Sequence, residues 1–203
     1  MKKLTMSVLS VAFAFAAIAG GEVEKENVMT ISADQSTISW YGEKVTGSHN
    51  GAVDVRQGNI VLDADGNLKS AYVQADMQTI VNHDLEDADT NAKLVGHLKS
   101  DDFFGVEKFP YAEINLTKFE KGKEAGKYLA TGELTIKGKT NPITVPFTYN
   151  VEEGTLTATG AFTFDRSNYD VRYGSDSFFD NLGDKVIYDD VNLEFTIKGM
   201  AKK

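Results

Sequence analysis

Histidine is the side chain that most often serves as a general base or a metal ligand near neutral pH, and the chain has only three. A metal site can be drawn from His83, the adjacent Asp84 and His97. No two of the three histidines, His49, His83 and His97, have the i, i+4 spacing of zinc ligands on a helix. His49 and His97 are interpreted as structural hydrogen-bonding residues. Cysteine is absent, which excludes disulfides, thiolate metal sites and cysteine nucleophiles. No nucleophile elbow, phosphate-binding loop or dinucleotide-binding fingerprint occurs, so we expect no enzyme, no metal and no cofactor.

An aromatic-rich stretch at residues 93–110, KLVGHLKSDDFFGVEKFP, is the most distinctive part of the chain. Phe103 and Phe104 cannot both face inward on a regular strand, because successive side chains alternate. Gly105 and Pro110 interrupt regular structure on either side. The stretch therefore predicts a compact connection, which either plugs the end of a hydrophobic core or forms an apolar gate over a ligand cavity.

Most of the remaining chain consists of segments in which apolar and polar residues alternate, the pattern of half-buried strands. From Ser36 there are some eight or more of them, and a helix is predicted from about Asp89 to Leu98, where acidic residues come first and lysines last. Turns or loops are predicted at GSHNG (47–51), Gly58, DADGN (63–67), KFEKGKEAGK (118–127) and KGKTN (137–141). This organisation predicts an all-β protein, an antiparallel sandwich or barrel, and a barrel of about eight strands can enclose one small ligand.

Two details of the predicted strands bear on packing. Pro142 and Pro146 lie inside one strand, which suggests an edge or a bulge there. Several inward positions hold small residues, which leave volume for bulky neighbours or for a ligand: Ala71, Ala75, Ala130, Gly132, Ala158 and Gly160.

The first residues have the form of a secretory signal. Lys2 and Lys3 precede an apolar run from Met6 that ends in an A-x-A pattern at Ala19. We expect a signal peptide at residues 1–19, a flexible polar lead-in at 20–27 and one domain at 28–200, in an exported protein of the periplasm or the exterior. Without the signal the chain has 21 − 2 = 19 basic and 30 acidic residues, a net charge of −11. This acidity argues against nucleic acid as a partner, and against more than transient membrane contact by bulk charge.

Four motifs together resemble those of the YceI-like family of exported bacterial proteins: GSHNG, the stretch 93–110, GELTIKGKT, and FDRSNYDVRYGS with the following FFDNLGDKVI. The resemblance covers residues 28–199. One departure is Gly105, where the family usually has Asp. The resemblance implies an extended lipocalin-like antiparallel barrel, with the helix and aromatic loop covering one side or end. It also implies that the interior binds a long isoprenoid lipid, such as a polyprenyl chain or an isoprenoid quinone.

Strand alternation and motif position then predict the ligand-binding residues. The predicted wall is Ile38, Trp40, Val73, Met77, Ile114, Leu134, Val145, Phe147, Phe162 and Phe164. The predicted rim is Phe103, Phe104, Phe109, Phe178 and Phe179. Arg166 is the first candidate to bind a polar head group, with a structural salt bridge to Asp165 or Asp170 as the alternative.

Two other functions remain open from the sequence. The first is a structural or stress-protective barrel without a ligand, and the second is a metal-dependent enzyme. Oligomeric state and the identity of the isoprenoid are not specified by any pattern in the chain.

Overall fold

The computed structural model describes residues 26–201, and this part of the chain is built almost entirely from β-strands. Helix α1 (Ala88–Lys99) lies between the fourth and fifth strands. The strands are β1 (Asn27–Ile31), β2 (Thr37–Lys44), β3 (Gly47–Leu62), β4 (Leu68–Asn82), β5 (Tyr111–Lys121), β6 (Lys127–Ile136), β7 (Lys139–Glu152), β8 (Thr155–Asp165) and β9 (Ile187–Ala201). Short 3₁₀ turns are formed by Ala33–Gln35, Arg166–Tyr169 and Gly183–Lys185.

Strands β2 to β9 form a closed antiparallel barrel, which confirms the predicted fold class. The hydrogen-bonded order is β3-β2-β9-β8-β7-β6-β5-β4, and pairing of β3 with β4 closes the ring. Closure gives every barrel strand two neighbours over at least part of its length and places every second side chain inside. The predicted helix is also confirmed: Asp87 accepts a hydrogen bond from the backbone N–H of Thr90 at its start, and His97 and Lys99 lie in its last turn.

Strand β1 was not predicted, since strands were expected only from Ser36. It pairs with β3 and β9, the same two neighbours as β2, and runs in the same direction as β2. The two therefore share one position in the wall, separated by the Ala33–Gln35 turn. Met29 and Ile31 of β1 are buried. Five residues beside a polar segment carry too little alternation to be recognised as a strand.

The barrel has two different ends. We call the first the helix end, because it carries residues 83–110 with α1, the tight turns at 45–46 and 137–138, and the long connection 166–186. We call the second the hairpin end, since it carries only the short connections 63–67, 122–126 and 153–154. The hairpin predicted at 63–67 is confirmed.

The turns predicted at GSHNG and Gly58 are wrong, because both lie inside β3. Their glycines serve close packing rather than chain reversal. A Cβ at Gly51 would lie 1.8 Å from the carbonyl oxygen of Val81, and one at Gly58 would lie 2.3 Å from that of Tyr72. At these two positions β3 therefore approaches β4 so closely that only a residue without a Cβ fits.

The loop predicted at 118–127 is shorter than expected, because β5 continues to Lys121. The loop at 137–141 likewise shrinks to Lys137 and Gly138. Pro142 and Pro146 lie in the half of β7 that pairs with β6 alone, since pairing with β8 begins only at Phe147. The expected edge at the prolines is confirmed.

Candidate ligand cavity

The barrel encloses a cavity of about 260 Å³ that extends from one end to the other. On β9 alone it is lined from Ile187 to Ile197. Ten residues of strand correspond to about 34 Å, or about 25 Å along the barrel axis at a typical tilt of 35–45°. The wall is apolar over nearly all of this length, and the charged side chains Lys44 and Arg166 lie toward the helix end. Glu43 and Glu113 border the cavity through their strands, but their carboxylates accept from the hydroxyls of Tyr41 and Tyr72 on the outer face.

The ten residues predicted as the wall all line this cavity: Ile38, Trp40, Val73, Met77, Ile114, Leu134, Val145, Phe147, Phe162 and Phe164. Alternation placed them inward because their strands keep register at these points. The small residues Ala71, Ala75 and Ala158 line it too and leave part of its volume. Contact of any of these side chains with a ligand stays a prediction.

Sequence reasoning missed Phe119, which also lines the cavity. The pairing of β5 with β6 shifts by one residue between Leu116 and Lys118. This irregularity reverses the inward and outward sets, so Leu116 and Phe119 both face inward although they are three residues apart. Because Phe119 breaks the alternation of this strand and is flanked by charged residues, the sequence predicted a loop at this position. Leu193 and Phe195 also line the cavity and were not among the predicted wall residues. Their strand was predicted, so its alternation was a sufficient signal to include them.

Helix α1 and the aromatic loop lie against the cavity at the helix end. Leu94, Leu98, Phe103 and Phe104 all line it, and Phe103 is buried. The loop is folded tightly on the helix, since the N–H of Phe104 donates to the carbonyl of Leu98 at 3.1 Å. The expected compact connection is thus confirmed, and its first two aromatic rings are part of the cavity wall.

Gly105 explains the departure from the family pattern in this loop. Its φ of 57° lies in the left-handed region, where glycine is unstrained and Asn or Asp are the best tolerated alternatives. Gly, Asn and Asp are therefore the residue types that this backbone conformation accommodates best. The position has a conformational role that does not require an acidic group.

The three remaining rim residues do not line the cavity. Phe109 packs against the β6–β7 turn, where a Cβ on Gly138 would lie 3.0 Å from its ring. Phe178 lies under the guanidinium of Arg172, 4.9 Å from the ring centroid, and Phe179 is 49% exposed. Phe178 and Phe179 thus lie on the outside of the helix end.

Arg166 is the one buried cation among the cavity-lining residues of the described chain, with 1% of its surface exposed. Its Nε, Nη1 and Nη2 donate to the carbonyl oxygens of Tyr188 at 3.2 Å, Val171 at 2.9 Å and Ile187 at 2.9 Å. Nη2 also lies 3.1 Å from Oδ1 of Asp189. Burial lowers the pKa of Arg166, and the charge of Asp189 opposes that shift. The guanidinium therefore ties the long connection to the start of β9.

The expected salt bridge from Arg166 to Asp165 or Asp170 is wrong, because the partner is Asp189. The carboxylate of Asp165 accepts the N–H of Ser167, and that of Asp170 accepts Nε of Arg172 at 2.6 Å. Asp189 is more distant in sequence and reaches Arg166 only because β9 lies beside β8 in the barrel.

The histidines do not assemble a metal site with their acidic neighbours. Nδ1 of His49 lies 2.8 Å from Oδ2 of Asp84. Burial raises the pKa of Asp84, but hydrogen bonds from the N–H of Asn50, from His49 and from Asn82 outweigh it and lower that pKa to about 2. Across residues 26–201, no three His, Asp or Glu side chains are grouped so as to hold a metal ion. His83 and His97 are not joined to this pair by any contact that would complete one.

None of the helices within residues 26–201 is both long enough and apolar enough to cross a bilayer.

These features define a class of protein: a closed antiparallel barrel with an apolar axial cavity and one buried, charge-compensated arginine at the end that carries the helix. The model of the YceI-like domain family matches residues 29–199, and the chain belongs to this family. The resemblance noted in the motifs is thereby confirmed.

Solved structures share the fold at low sequence identity. Burkholderia cenocepacia BcnA is 23% identical, with 83% of this chain and 98% of that chain covered and a TM-score of 0.64. A polyisoprenoid-binding domain from Saccharophagus degradans, implicated in plant cell wall breakdown, is 14% identical, with coverages of 88% and 100% and a TM-score of 0.63. The YceI protein of Campylobacter jejuni is 19% identical over the whole of both chains, with a TM-score of 0.53.

A curated relative, a UPF0312 protein of Photorhabdus laumondii, is 46% identical over 56 residues. The match spans 27% of this chain and 28% of that relative.

Proposed function

We propose that this chain binds a long isoprenoid lipid, a polyprenyl chain or an isoprenoid quinone, without catalysing a reaction on it. The tail lies along the barrel axis and the head group lies at the helix end. The observation that carries the proposal is the length and apolar character of the axial cavity. The polyisoprenoid-binding description of the Saccharophagus degradans domain supports the choice of ligand.

The energetics favour exchange with a membrane over capture from water. Each CH₂ moved from water into the barrel contributes about 0.8 kcal/mol. A tail of several tens of carbons would exceed the practical ceiling of about 20 kcal/mol, so water is the wrong reference state. In a bilayer the tail is already in an apolar medium. A cavity that matches that medium allows loading and release, which is what a carrier requires.

The exposed apolar side chains of the helix end support transient contact with a membrane. We call Val45, Tyr173, Phe178, Phe179 and Tyr188 the apolar collar; all five are substantially exposed. The N–H of Val45 donates to the carbonyl of residue 186, and that of residue 187 donates to the carbonyl of residue 174. The β2–β3 turn, the start of β9 and the long connection therefore form one continuous surface around the cavity mouth.

We further propose that the protein acts outside the cytoplasm after removal of residues 1–19, which lie outside the described residues. Sequencing the N-terminus of the protein recovered from a periplasmic fraction tests this. Cleavage after Ala19 is the expected result, and a full-length N-terminus would contradict it.

The central experiment is organic extraction of gently purified protein followed by mass spectrometry. We expect an isoprenoid in near-stoichiometric amount. Repeated recovery of an empty protein from cells that contain isoprenoids would refute the proposal. It would favour a barrel with a structural role. The cavity volume of about 260 Å³ agrees with that alternative, because small-molecule cavities usually measure about 300–1,000 Å³.

Carriage is separated from storage by a transfer assay between vesicles. Replacing Phe178 and Phe179 by Ser removes most of the aromatic area of the collar, and we expect transfer to slow roughly tenfold, with the amount bound at equilibrium unchanged. Val151→Ser is the matched control, because Val151 is equally exposed but lies at the hairpin end. Equal transfer rates for all three proteins would argue against collar-mediated exchange.

A further inference from the structure

The wall of the barrel is interrupted between β7 and β8. Their pairing ends at Phe147 and Gly160, where the strands lie close, since a Cβ on Gly160 would be 2.5 Å from the carbonyl oxygen of Pro146. Toward the helix end, residues 139–146 pair only with β6 and residues 161–165 only with β9, within the part of the chain that the structure describes. We call these two segments, unpaired with each other, the β7–β8 seam.

The prolines of β7 account for the interruption. Pro142 and Pro146 keep register with Glu133 and Leu129 of β6, so the N–H groups that proline lacks would have pointed away from β6, toward β8. Without these donors the ladder between β7 and β8 does not continue. From residue 139 to residue 146 the seam follows β7 for about 24 Å, at about 3.4 Å per residue. Separating the two strands along this length breaks no ladder hydrogen bond.

Side chains, rather than paired backbone, close the seam. On the inner face Phe162 and Phe164 line the cavity. The buried ring of Tyr169 packs edge-to-face on Phe164, with 5.6 Å between the ring centroids. The cavity is therefore separated from the outside here by packed aromatic rings.

Two side-chain hydrogen bonds tie the helix end of the seam. Nδ2 of Asn141 donates to the carbonyl of Asn168 at 3.0 Å, and Nζ of Lys137 donates to the carbonyl of Asp170 at 3.1 Å. Both join the β7 side of the seam to the turn that follows β8. A segment held by two such bonds opens at a lower cost than a fully paired part of the wall.

The outer face of the seam is uncharged over most of its length. Five outward side chains of β7 and β8 are exposed there, and none is ionisable: Pro142, Thr144, Pro146, Ala161 and Thr163. Glu133 of β6 and Asp165 at the end of β8 border this stretch. An apolar chain that passes between the two strands therefore removes no ionised group of this stretch from water.

We propose that the β7–β8 seam is a lateral portal, through which the tail of the bound lipid passes sideways into the barrel while its head group stays at the helix end. This inference rests on the proposed binding of a long lipid and adds its route of entry. Threading from the mouth would draw the whole tail end-on past Phe103 and Phe104. A slot that reaches the mouth admits the tail along its length and leaves the strand pairs of the rest of the barrel intact.

A chemical tie across the seam tests the portal, and the absence of cysteine from the chain makes the tie specific. Continuing the register of the paired half places Thr144 opposite Thr163, and both are exposed. In the full chain carrying Thr144→Cys and Thr163→Cys, a short bis-maleimide joins the two strands, whereas N-ethylmaleimide caps the same thiols without joining them.

The assay follows uptake of a polyprenol from phosphatidylcholine vesicles by delipidated protein. We expect the joined protein to take up the lipid more slowly than the capped protein by on the order of tenfold or more. Protein that is joined after loading should retain its lipid for correspondingly longer. Equal uptake by the joined and capped proteins would overturn the portal while leaving lipid binding intact. Failure of the unmodified chain to bind the lipid would refute the proposed function and the portal together.

Thr148→Cys with Thr159→Cys is the matched control, because these residues face each other in the paired half, where their hydroxyl oxygens are 3.0 Å apart. Joining them should leave uptake unchanged. Asn141→Ala removes one of the two ties and should speed uptake about two- to tenfold, the range for one lost hydrogen bond. Asn150→Ala removes a bond to Glu152 outside the seam and should not change the rate. Slowing of uptake by the control tie as well would contradict a portal confined to the seam.

Discussion

Filling the middle of the cavity is the most direct test of where the tail lies. Ala158 lines the cavity on β8, between Leu156 and Gly160. Ala158→Phe adds six carbon atoms. The added phenyl ring would lie across the cavity at this level of β8 and would narrow the 260 Å³ present.

The expected effect on binding follows from the displaced part of the ligand. If six tail carbons are forced out of the barrel into water, the loss is roughly 5 kcal/mol at about 0.8 kcal/mol each, more than a thousandfold in affinity. Relaxation of the wall will recover part of this, so we expect at least a tenfold loss. Stability should not suffer, since filling a cavity commonly adds about 0.5–2 kcal/mol.

The assay measures the lipid extracted per mole of protein and the midpoint of urea unfolding for each variant. Ala161→Phe is the matched control, because Ala161 lies on the same strand with its side chain exposed on the outer face. Undiminished lipid in a well-folded Ala158→Phe protein would refute the reasoning, since the tail would then lie elsewhere. A large loss of stability would instead show that the space is already filled by the protein.

Three further predictions concern stability. Arg166→Met leaves Asp189 buried without its counter-ion and should cost about 3–5 kcal/mol in urea unfolding, whereas Arg172→Ala, which breaks an exposed ion pair, should cost less than about 1 kcal/mol. The pKa of Asp84 is about 2 in the folded chain, below its ordinary 3.8. The unfolded chain therefore binds the proton first, and the free energy of unfolding should fall as pH drops from about 4 to about 2. Asp84→Asn should make the free energy of unfolding less dependent on pH in this range, and an unchanged dependence would contradict a stabilising role of the His49–Asp84 pair. A Cβ at Gly105 would lie 3.2 Å from Oδ1 of Asp101, so Gly105→Asn should be better tolerated than Gly105→Asp. Gly105→Val should lower the unfolding free energy by roughly 1–2 kcal/mol or more, and equal stability of the Asn and Val variants would show that the left-handed backbone is not a constraint.

Alternation made most of the barrel predictable, because it reports directly on which side of a strand is buried. It identified the inward sets of β4 and β9 and the ten proposed wall residues. It failed where the local geometry departs from a period of two, as at the shift between Leu116 and Lys118 that turns Phe119 inward. It also failed at Gly51 and Gly58, since a glycine needed for close approach has the same sequence signature as one needed for a turn.

Long-range polar pairs were the other part that sequence could not supply. Arg166 was recognised as the significant cation, and acids within a few residues were the natural candidates to pair with it. Its partner is Asp189, because antiparallel pairing of β8 and β9 brings residues from the two ends of the long connection together. Only the register of the barrel determines that contact, and no local pattern records it.

The proposed exchange with a membrane has a consequence for specificity. A prenyl tail meets an apolar medium both in the bilayer and in the barrel, so lengthening it changes the two free energies by similar amounts. The tail therefore contributes little to discrimination among lipids that share it. Discrimination must come from groups that change their surroundings on transfer, and these are the head group and the side chains around the mouth. On the proposed function, the polar side chains described at this end include Arg166 and Asp189, so their variants should alter which lipid is bound while cavity-filling variants alter how much.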